Sequence, residues 1–147
     1  MSAIPQQTVQ DLARSCRDDV LAYSVFVDPN YRAYAFHRHI ARKIGAAMAR
    51  GRGRIMVFAP PQHGKSEFVS RKLPAYALGR YANTKVIAAS YGEDLALFNG
   101  AAVRDIIGGP AHRMVFPEAG LKAGSAAKDY FETENGGRYL GTTVRGA

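Results

Sequence analysis

The residues with the clearest chemical potential are Gly64, Lys65 and Ser66, which follow an apolar run and precede a segment with helical spacing. Gly64 has no Cβ, so the backbone can approach a ligand closely at this point. Lys65 can reach the β- and γ-phosphates of a nucleoside triphosphate, and the hydroxyl of Ser66 is suited to Mg²⁺. Backbone N–H groups at the start of a helix would hold other phosphate oxygens. These residues predict a phosphate-binding loop, with Lys65 as its catalytic residue and Ser66 as a ligand of Mg²⁺.

Such a loop needs a strand before it and a helix after it. Residues 55–59 (IMVFA) form a continuous apolar run, which predicts a strand buried on both faces of a parallel sheet. A helix is expected over 66–78, a second apolar strand over 85–90, and a second helix over 93–107. This alternation of strand and helix predicts an α/β fold with right-handed crossovers.

Residues 1–50 are expected to form a helical lead-in segment before the loop. Two apolar faces repeat at helical spacing, the first at Val9, Leu12, Ala13, Cys16 and Val20, the second at Phe36, Ile40, Ile44 and Met48. A turn at 28–30 (DPN) separates the two helices, and the glycines of 51–53 end the second.

The remaining segment, residues 51–147, is expected to hold the phosphate loop and the sheet. Near its end, residues 130–133 and 138–144 flank Asn135 and Gly136, a pair typical of hairpin turns. The predicted fold is therefore an α/β, P-loop NTPase core with a parallel sheet, preceded by the helical lead-in.

Several of these segments resemble the large subunits of phage terminases. Residues 56–70 (MVFAPPQHGKSEFVS) resemble their Walker A segment, in which a Pro-Pro pair and one further residue precede His-Gly-Lys-Ser-Glu. Collinear resemblances cover nearly the whole chain from about residue 30, at 36–38 (FHR), 73–80 (LPAYALGR), 86–96 (VIAASYGEDLA) and 135–140 (NGGRYL). Two positions depart from the pattern: Ala59 replaces the first glycine, and Gln62 stands where many relatives have arginine.

The resemblance implies a motor that couples ATP hydrolysis to threading viral DNA into a capsid. ATP and Mg²⁺ would be its cofactors. The resemblance assigns nucleotide binding to Pro61, Gln62, His63, Gly64, Lys65, Ser66, Glu67 and His37. The implied partners are double-stranded DNA, the terminase small subunit, the capsid portal and further copies of the chain in a ring. The implied location is the host cytoplasm.

The resemblance also implies that the ATPase core is incomplete in this sequence. In the family, the late hairpin leads to a Thr-Gly-Arg segment and then to a strand ending in paired acidic residues, Walker B. A nuclease domain follows. The sequence ends at 144–147 (VRGA) before any of these features. We therefore expect weak nucleotide binding and almost no turnover from this chain.

Composition narrows the class of protein. The formal net charge is +8, and much of the excess lies just before the first expected strand, at Arg38, Arg42, Lys43, Arg50, Arg52 and Arg54. Such a charge favours a polyanionic partner, although a solvated surface is the simpler interpretation. No apolar stretch is long enough for a membrane helix, and the N-terminus has no secretory signal pattern. With Cys16 alone, no internal disulfide can form.

Other reactive side chains are given structural interpretations. His37 and His39 are two residues apart and so diverge on a helix, which argues against zinc. His63 is expected to shape the loop or contact nucleotide. His37 is interpreted either as an adenine contact or as a helix-capping or surface histidine. Glu93 and Asp94 are interpreted as helix-capping residues, and Tyr91 as a neighbour of the site. The arginines weighed for DNA contact or for a trans-acting finger are Arg104, Arg113 and Arg138.

Two other functions remain open from the sequence. One is a small-molecule kinase of the P-loop class, which would need lid arginines near the chain end. The other is a basic nucleic-acid-binding module with a vestigial loop, which predicts salt-dependent DNA affinity and no response to ATP.

Overall fold

The computed structural model describes residues 6–125 and 127–144. Its helices are α1 (Gln6–Ser15), α2 (Val20–Val27), α3 (Ala35–Ala49), α4 (Leu73–Arg80), α5 (Glu93–Gly108) and α6 (Pro110–Val115). A 3₁₀ turn (Cys16–Asp18) joins α1 to α2, and a π-helical turn (Glu67–Lys72) leads directly into α4. The strands are β1 (Lys85–Ser90), β2 (Tyr130–Glu132) and β3 (Arg138–Thr143).

The expected N-terminal helices are present, with a break that the sequence pattern did not show. The Asp19 carboxylate accepts hydrogen bonds from the backbone N–H groups of Leu21 and Ala22, at 2.8 and 3.0 Å. It thereby caps α2 and starts a new helix after the 3₁₀ turn. Ala13, Cys16 and Val20 are buried as the apolar spacing predicted, but Leu12, placed on the same face, is 56% exposed.

Helix α3 confirms the second expected helix. Ile40 and Ile44 are buried in the core, and the basic residues lie on the exposed side. The helix ends at Ala49, and Gly51 follows its C-cap as expected, with a φ of +68° that a residue without Cβ adopts freely.

The three strands form one mixed sheet in the order β1-β3-β2. Strands β1 and β3 are parallel, with Lys85 opposite Arg138 and Ser90 opposite Thr143. Strands β2 and β3 are antiparallel and joined by the expected hairpin, where Gly136 adopts a φ of +84°. The fold is therefore α/β, as expected, and its small sheet is mixed because the expected hairpin adds an antiparallel strand to a parallel pair.

The predicted strand at 55–59 is not formed. Residues 52–60 have no regular secondary structure, and the side chains of Met56 and Phe58 are 80% and 82% exposed. A strand buried on both faces needs neighbouring strands, and none of the described strands pairs with this segment. Strand β1 has no described partner on its side away from β3, and its Ile87 is 71% exposed. The apolar run therefore lacks the pairing that its composition requires.

One hydrophobic core joins the helices to one face of the sheet. Its largest fully buried apolar side chains come from helices, strands and the π-helical turn: Tyr23, Phe68, Leu78, Val103, Ile107, Val115, Phe131 and Tyr139. At Gly100, helix α5 approaches both the chain before β2 and strand β3, because a Cβ there would stand 1.9 Å from the Lys128 carbonyl oxygen and 3.2 Å from the Tyr139 ring. The buried side chains of the N-terminal helices therefore pack in the same core as those of the sheet.

The helices described are all too short or too polar to cross a membrane.

Candidate functional site

The candidate site is centred on residues 59–66, here called the Gly64 loop. Two of its residues have positive φ, +63° at Gln62 and +72° at Gly64. A glutamine in this left-handed region is strained, whereas glycine adopts it freely. Strained backbone is often retained where a loop binds a ligand. The loop and the following helical turn line a cavity of about 440 Å³.

Lys65 and Ser66 stand where this loop enters helical conformation. Ser66 is exposed and has helical dihedral angles, φ −66° and ψ −36°, and Lys65 is half-buried. Over the described residues, neither side chain forms a hydrogen bond or an ion pair with the protein. The first N–H groups of a helix also lack partners within the helix. An ammonium, a hydroxyl and free amides are therefore available at one helix start.

His63 has a structural contact within the loop. Its Nδ1 lies 2.8 Å from the Pro61 carbonyl oxygen, which can only accept, so the ring donates this hydrogen bond. The bond spans the turn at Gln62 and holds its conformation. This contact fits the interpretation of His63 as a residue that shapes the loop.

His37 lies behind the loop and is only 2% exposed. Its Nδ1 accepts a hydrogen bond from the backbone N–H of Tyr34 at 3.2 Å, so a neutral ring carries its proton on Nε2. Nε2 is buried and has no described hydrogen-bond partner. A Cβ built on Gly64 would lie 3.0 Å from this atom. An unsatisfied donor therefore faces the backbone of the loop at Gly64.

Aromatic rings enclose His37 on several sides. The ring centroids of Tyr31, Phe36 and Phe68 lie 5.5, 5.3 and 6.3 Å from that of His37. Burial, with help from the nearby carboxylates of Glu67 and Asp28, raises the pKa of Tyr31 to about 12. Its buried hydroxyl has no hydrogen-bond partner among the described residues.

Between this cluster and the Gly64 loop lies a second cavity of about 430 Å³, lined by aromatic rings, polar side chains and loop backbone. Apolar walls with a few convergent polar groups are typical of ligand sites.

Glu67 is the first residue of the π-helical turn and is held by two cations. Its carboxylate accepts hydrogen bonds from Arg71 and from the Lys72 ammonium, the latter at 2.6 Å. Lys72 also donates to the Asp28 carboxylate at 3.0 Å, and its own side chain is 2% exposed. The ammonium further lies 4.7 Å from the centroid of the Tyr31 ring. Glu67 therefore joins the loop to the turn at the end of α2.

The sequence did not predict the roles of Lys72, Asp28 and Tyr31. Residues five apart on an α-helix point about 140° away from each other, since each residue turns the helix by about 100°. The π-helical turn is wider and brings Lys72 round to the side of Glu67. The one available signal was the turn at 28–30, which did place Asp28 at the end of a helix.

The other residues weighed from the sequence lie away from the loop or are paired. Arg113 donates to the Glu134 carboxylate, and Arg138 forms an ion pair with Glu132 at 3.3 Å. Arg104 forms an ion pair with Asp105 at 2.8 Å. Tyr91 follows β1 and is exposed. None of these arginines, as described, is brought to the Gly64 loop.

A larger cavity, about 900 Å³, lies elsewhere, between α2, α3 and the end of α4. Its walls carry opposite charges, and Arg80 is paired there with Asp18 at 2.8 Å. We place the site at the smaller cavities instead, because only they combine free loop amides, a free ammonium and an unsatisfied buried donor.

The described residues include no group of three or more His, Cys, Asp or Glu side chains that could hold a metal ion by themselves. At the loop, the hydroxyl of Ser66 is the group suited to Mg²⁺, because Glu67 already binds two cations. A magnesium ion there would depend on phosphate oxygens for further ligands.

No protein-family model matches the chain, and searches of curated proteins and of solved structures gave no match.

Proposed function

We propose that this chain is the ATP-binding part of a viral DNA-packaging motor of the terminase large-subunit type. The observation that carries the proposal is the Gly64 loop, in which an unpaired Lys65 and Ser66 open a helix beneath the unsatisfied Nε2 of His37. The resemblance of residues 56–70 to the terminase Walker A segment supplies the kind of motor.

The roles of the residues follow from their positions. The Lys65 ammonium would contact the β- and γ-phosphates, and loop amides would hold oxygens that face the helix start. The hydroxyl of Ser66 would be the protein ligand of Mg²⁺, which, when bound, neutralises charge on the phosphates. His37 Nε2–H would donate a hydrogen bond to the nucleotide. Alternatively, it would donate to a carbonyl of the Gly64 loop, if the loop turns that carbonyl toward His37 when nucleotide binds. Gln62 can donate a hydrogen bond but brings no charge to the γ-phosphate.

A binding titration tests the proposal. A fluorescent, non-hydrolysable ATP analogue with Mg²⁺ is titrated into the parent chain, the Lys65→Ala variant and the Lys85→Ala variant. Removing a charge-assisted contact to phosphate should weaken binding about tenfold or more in Lys65→Ala. Lys85→Ala removes an equal charge on β1, away from the loop, and should bind as the parent does. Equal affinities for the parent and Lys65→Ala would show that the Gly64 loop does not hold phosphates.

The non-enzymatic alternative is favoured by one observation, the strongly basic surface of α3. A basic module with a vestigial loop would bind DNA with equal affinity in the presence and absence of the analogue. It would also show no nucleotide binding in the titration above.

A further inference from the structure

The charge of the chain is distributed very unevenly. Between Asp28 and Glu67 the sequence has no Asp or Glu, yet eight of its 20 lysines and arginines fall there. Six of these occupy the exposed side of α3 and the chain that follows it, a surface here called the α3 basic face: Arg38, Arg42, Lys43, Arg50, Arg52 and Arg54.

No described ion pair neutralises the α3 basic face, although Arg38 and Arg42 line the cavity of about 900 Å³ together with Asp18 and Asp19. Some exposed cations elsewhere are paired with carboxylates, as Arg80 is with Asp18 and Lys122 with Glu132, whereas Lys85 and Lys128 have no described ion pair. In the described parts of the chain, no residue of the α3 basic face forms an ion pair. The only described partner is the Ala33 carbonyl oxygen, which accepts from Arg38 at 3.2 Å. The positive charge is therefore available to a partner.

Helix stability does not account for this arrangement. Arg38 and Arg42 are four residues apart, so like charges lie side by side on the helix. The helix dipole favours cations only in the last turn, which applies to Arg50 and not to Arg38. A face that weakens its own helix electrostatically is better explained by a bound polyanion.

The composition of the face distinguishes between polyanions. Its remaining exposed positions on α3 include Gly45, Ala46 and Ala49, which let a surface approach closely. A helix that lies on a membrane needs bulky apolar anchors, and the exposed face of α3 has none. Single-stranded nucleic acid is bound with stacked aromatic rings, and this face presents no Phe, Tyr or Trp.

Duplex DNA fits the remaining requirements. From Arg38 to Arg50 the face extends about 18 Å along the helix axis. Over that length duplex DNA carries about ten phosphate charges on its two strands. Lysine and arginine side chains are the usual contacts to phosphate oxygens, and such contacts carry no sequence information.

We propose that the α3 basic face binds the phosphate backbone of double-stranded DNA without reading its sequence. This deepens the proposed function by giving its DNA a contact surface. The surface is separate from the Gly64 loop, since Lys65 is not part of it. Binding of DNA and of nucleotide can therefore be lost independently.

The test compares two triple variants of the full chain that carry the same change of charge. Arg42→Gln, Lys43→Gln and Arg50→Gln together remove charge from the α3 basic face. Lys85→Gln, Lys122→Gln and Lys128→Gln together remove it from exposed lysines elsewhere. Binding to a labelled DNA duplex of mixed sequence is followed by fluorescence anisotropy between about 50 and 200 mM salt. Circular dichroism and nucleotide-analogue binding are measured on both variants.

The face variant should bind duplex DNA at least tenfold more weakly than the parent at the lowest salt. The slope of log K against log salt should fall by about two to three, close to one for each lost phosphate contact. The control variant should keep most of the affinity and slope. Nucleotide-analogue binding should be unchanged in both variants, so that a failed Gly64 loop and a failed DNA surface give different results.

Three outcomes would overturn the inference. The parent chain could fail to bind duplex DNA, or both variants could lose the same affinity, which would mean that net charge alone acts. A single strand, or vesicles containing phosphatidylserine, could bind as tightly as the duplex. Tight binding to the vesicles would point to the exposed Met56 and Phe58, which follow the α3 basic face in the chain, as membrane anchors.

Discussion

Two constraints meet at Gly64. Its φ of +72° is a conformation in which an L side chain is strained, and a Cβ at this position would lie 3.0 Å from His37 Nε2. Contacts of 3.0–3.4 Å are tighter than nine in ten real Cβ contacts, so the neighbouring atom must shift. The His37 ring cannot easily move away, because its Nδ1 is bonded to the Tyr34 N–H and aromatic rings surround it.

Gly64→Ala should therefore lower both stability and ligand binding. The backbone term is about 1–2 kcal/mol for a residue forced into the left-handed region. Gly51 is a matched control, since its φ is +68° and a Cβ there would meet nothing within 4 Å. Urea unfolding should show a larger loss for Gly64→Ala than for Gly51→Ala, and analogue binding should fall only in Gly64→Ala. Equal losses of stability would mean that His37 does not press on the loop.

The sequence predicted which residues form the Gly64 loop, but it did not predict the side chains that pack around the loop. Gly64, Lys65 and Ser66 were singled out from residue type and order, because the residues of the proposed phosphate loop are consecutive in the chain. The burial of His37 was not predicted, since it depends on how α3 packs behind the loop. The ion pair of Lys72 with Asp28 spans 44 residues and leaves no local pattern.

At the scale of the element, the π-helical turn fixes how the Gly64 loop joins the core. The backbone N–H of Leu73 bonds to the Phe68 carbonyl oxygen, five residues back. The wider turn brings both Arg71 and Lys72 to the Glu67 carboxylate. Turns of this type are rare and occur frequently at functional sites.

Replacing Lys72 should destabilise the chain, because the carboxylates of Asp28 and Glu67 would lose the cation that pairs with both of them. Lys72→Met keeps the length and apolar part of the side chain but removes the charge between Asp28 and Glu67. Both carboxylates are partly exposed, at 39% and 34%, so water offsets part of the loss. We expect a loss of about 1–3 kcal/mol in the free energy of unfolding, measured by urea denaturation.

The control for this prediction is Glu67→Gln, which leaves the Lys72 ammonium bonded to Asp28. It should lose less stability than Lys72→Met. The difference should persist at high salt, because a buried cation is screened weakly. A Lys72→Met variant as stable as the parent would show that the ammonium does not hold the turn.

The elements were predictable where local pattern determines them and less so where pairing does. Helices α3 and α5, strand β1 and the late hairpin lie where spacing and turn residues placed them. The prediction of a strand at 55–59 was wrong. An apolar run indicates only that a segment would be stable as a strand beside other strands, and none of the described strands pairs with it. The π-helical turn was missed because the spacing of apolar residues over one or two turns does not distinguish an α-helix of about 3.6 residues per turn from a slightly wider π-helix.

At the scale of the whole molecule, a buried hydrogen-bonded histidine connects the first third of the chain to the last. His112 Nε2 donates to the Ala119 carbonyl oxygen at 3.2 Å, and its Nδ1 accepts from the Tyr23 hydroxyl at 2.6 Å. The ring also packs edge-on against Tyr23, with 5.8 Å between centroids. Burial lowers the pKa of His112 to about 4, so the ring is neutral in the folded chain.

This histidine should make the fold sensitive to mild acid. In the unfolded chain the pKa of His112 returns to about 6.5. As the pH falls, the unfolded state therefore binds a proton near pH 6.5, whereas the folded state binds it only near pH 4. Stability is therefore lost as the pH falls below about 6.5, by about 2 kcal/mol between pH 7 and pH 5.

His112→Gln can still donate to Ala119 and accept from Tyr23, but it has no proton to gain. Urea unfolding at both pH values should show this loss in the parent and much less of it in His112→Gln, while carboxylates titrate equally in both chains. Parallel pH dependences would mean that His112 is not held neutral by the core.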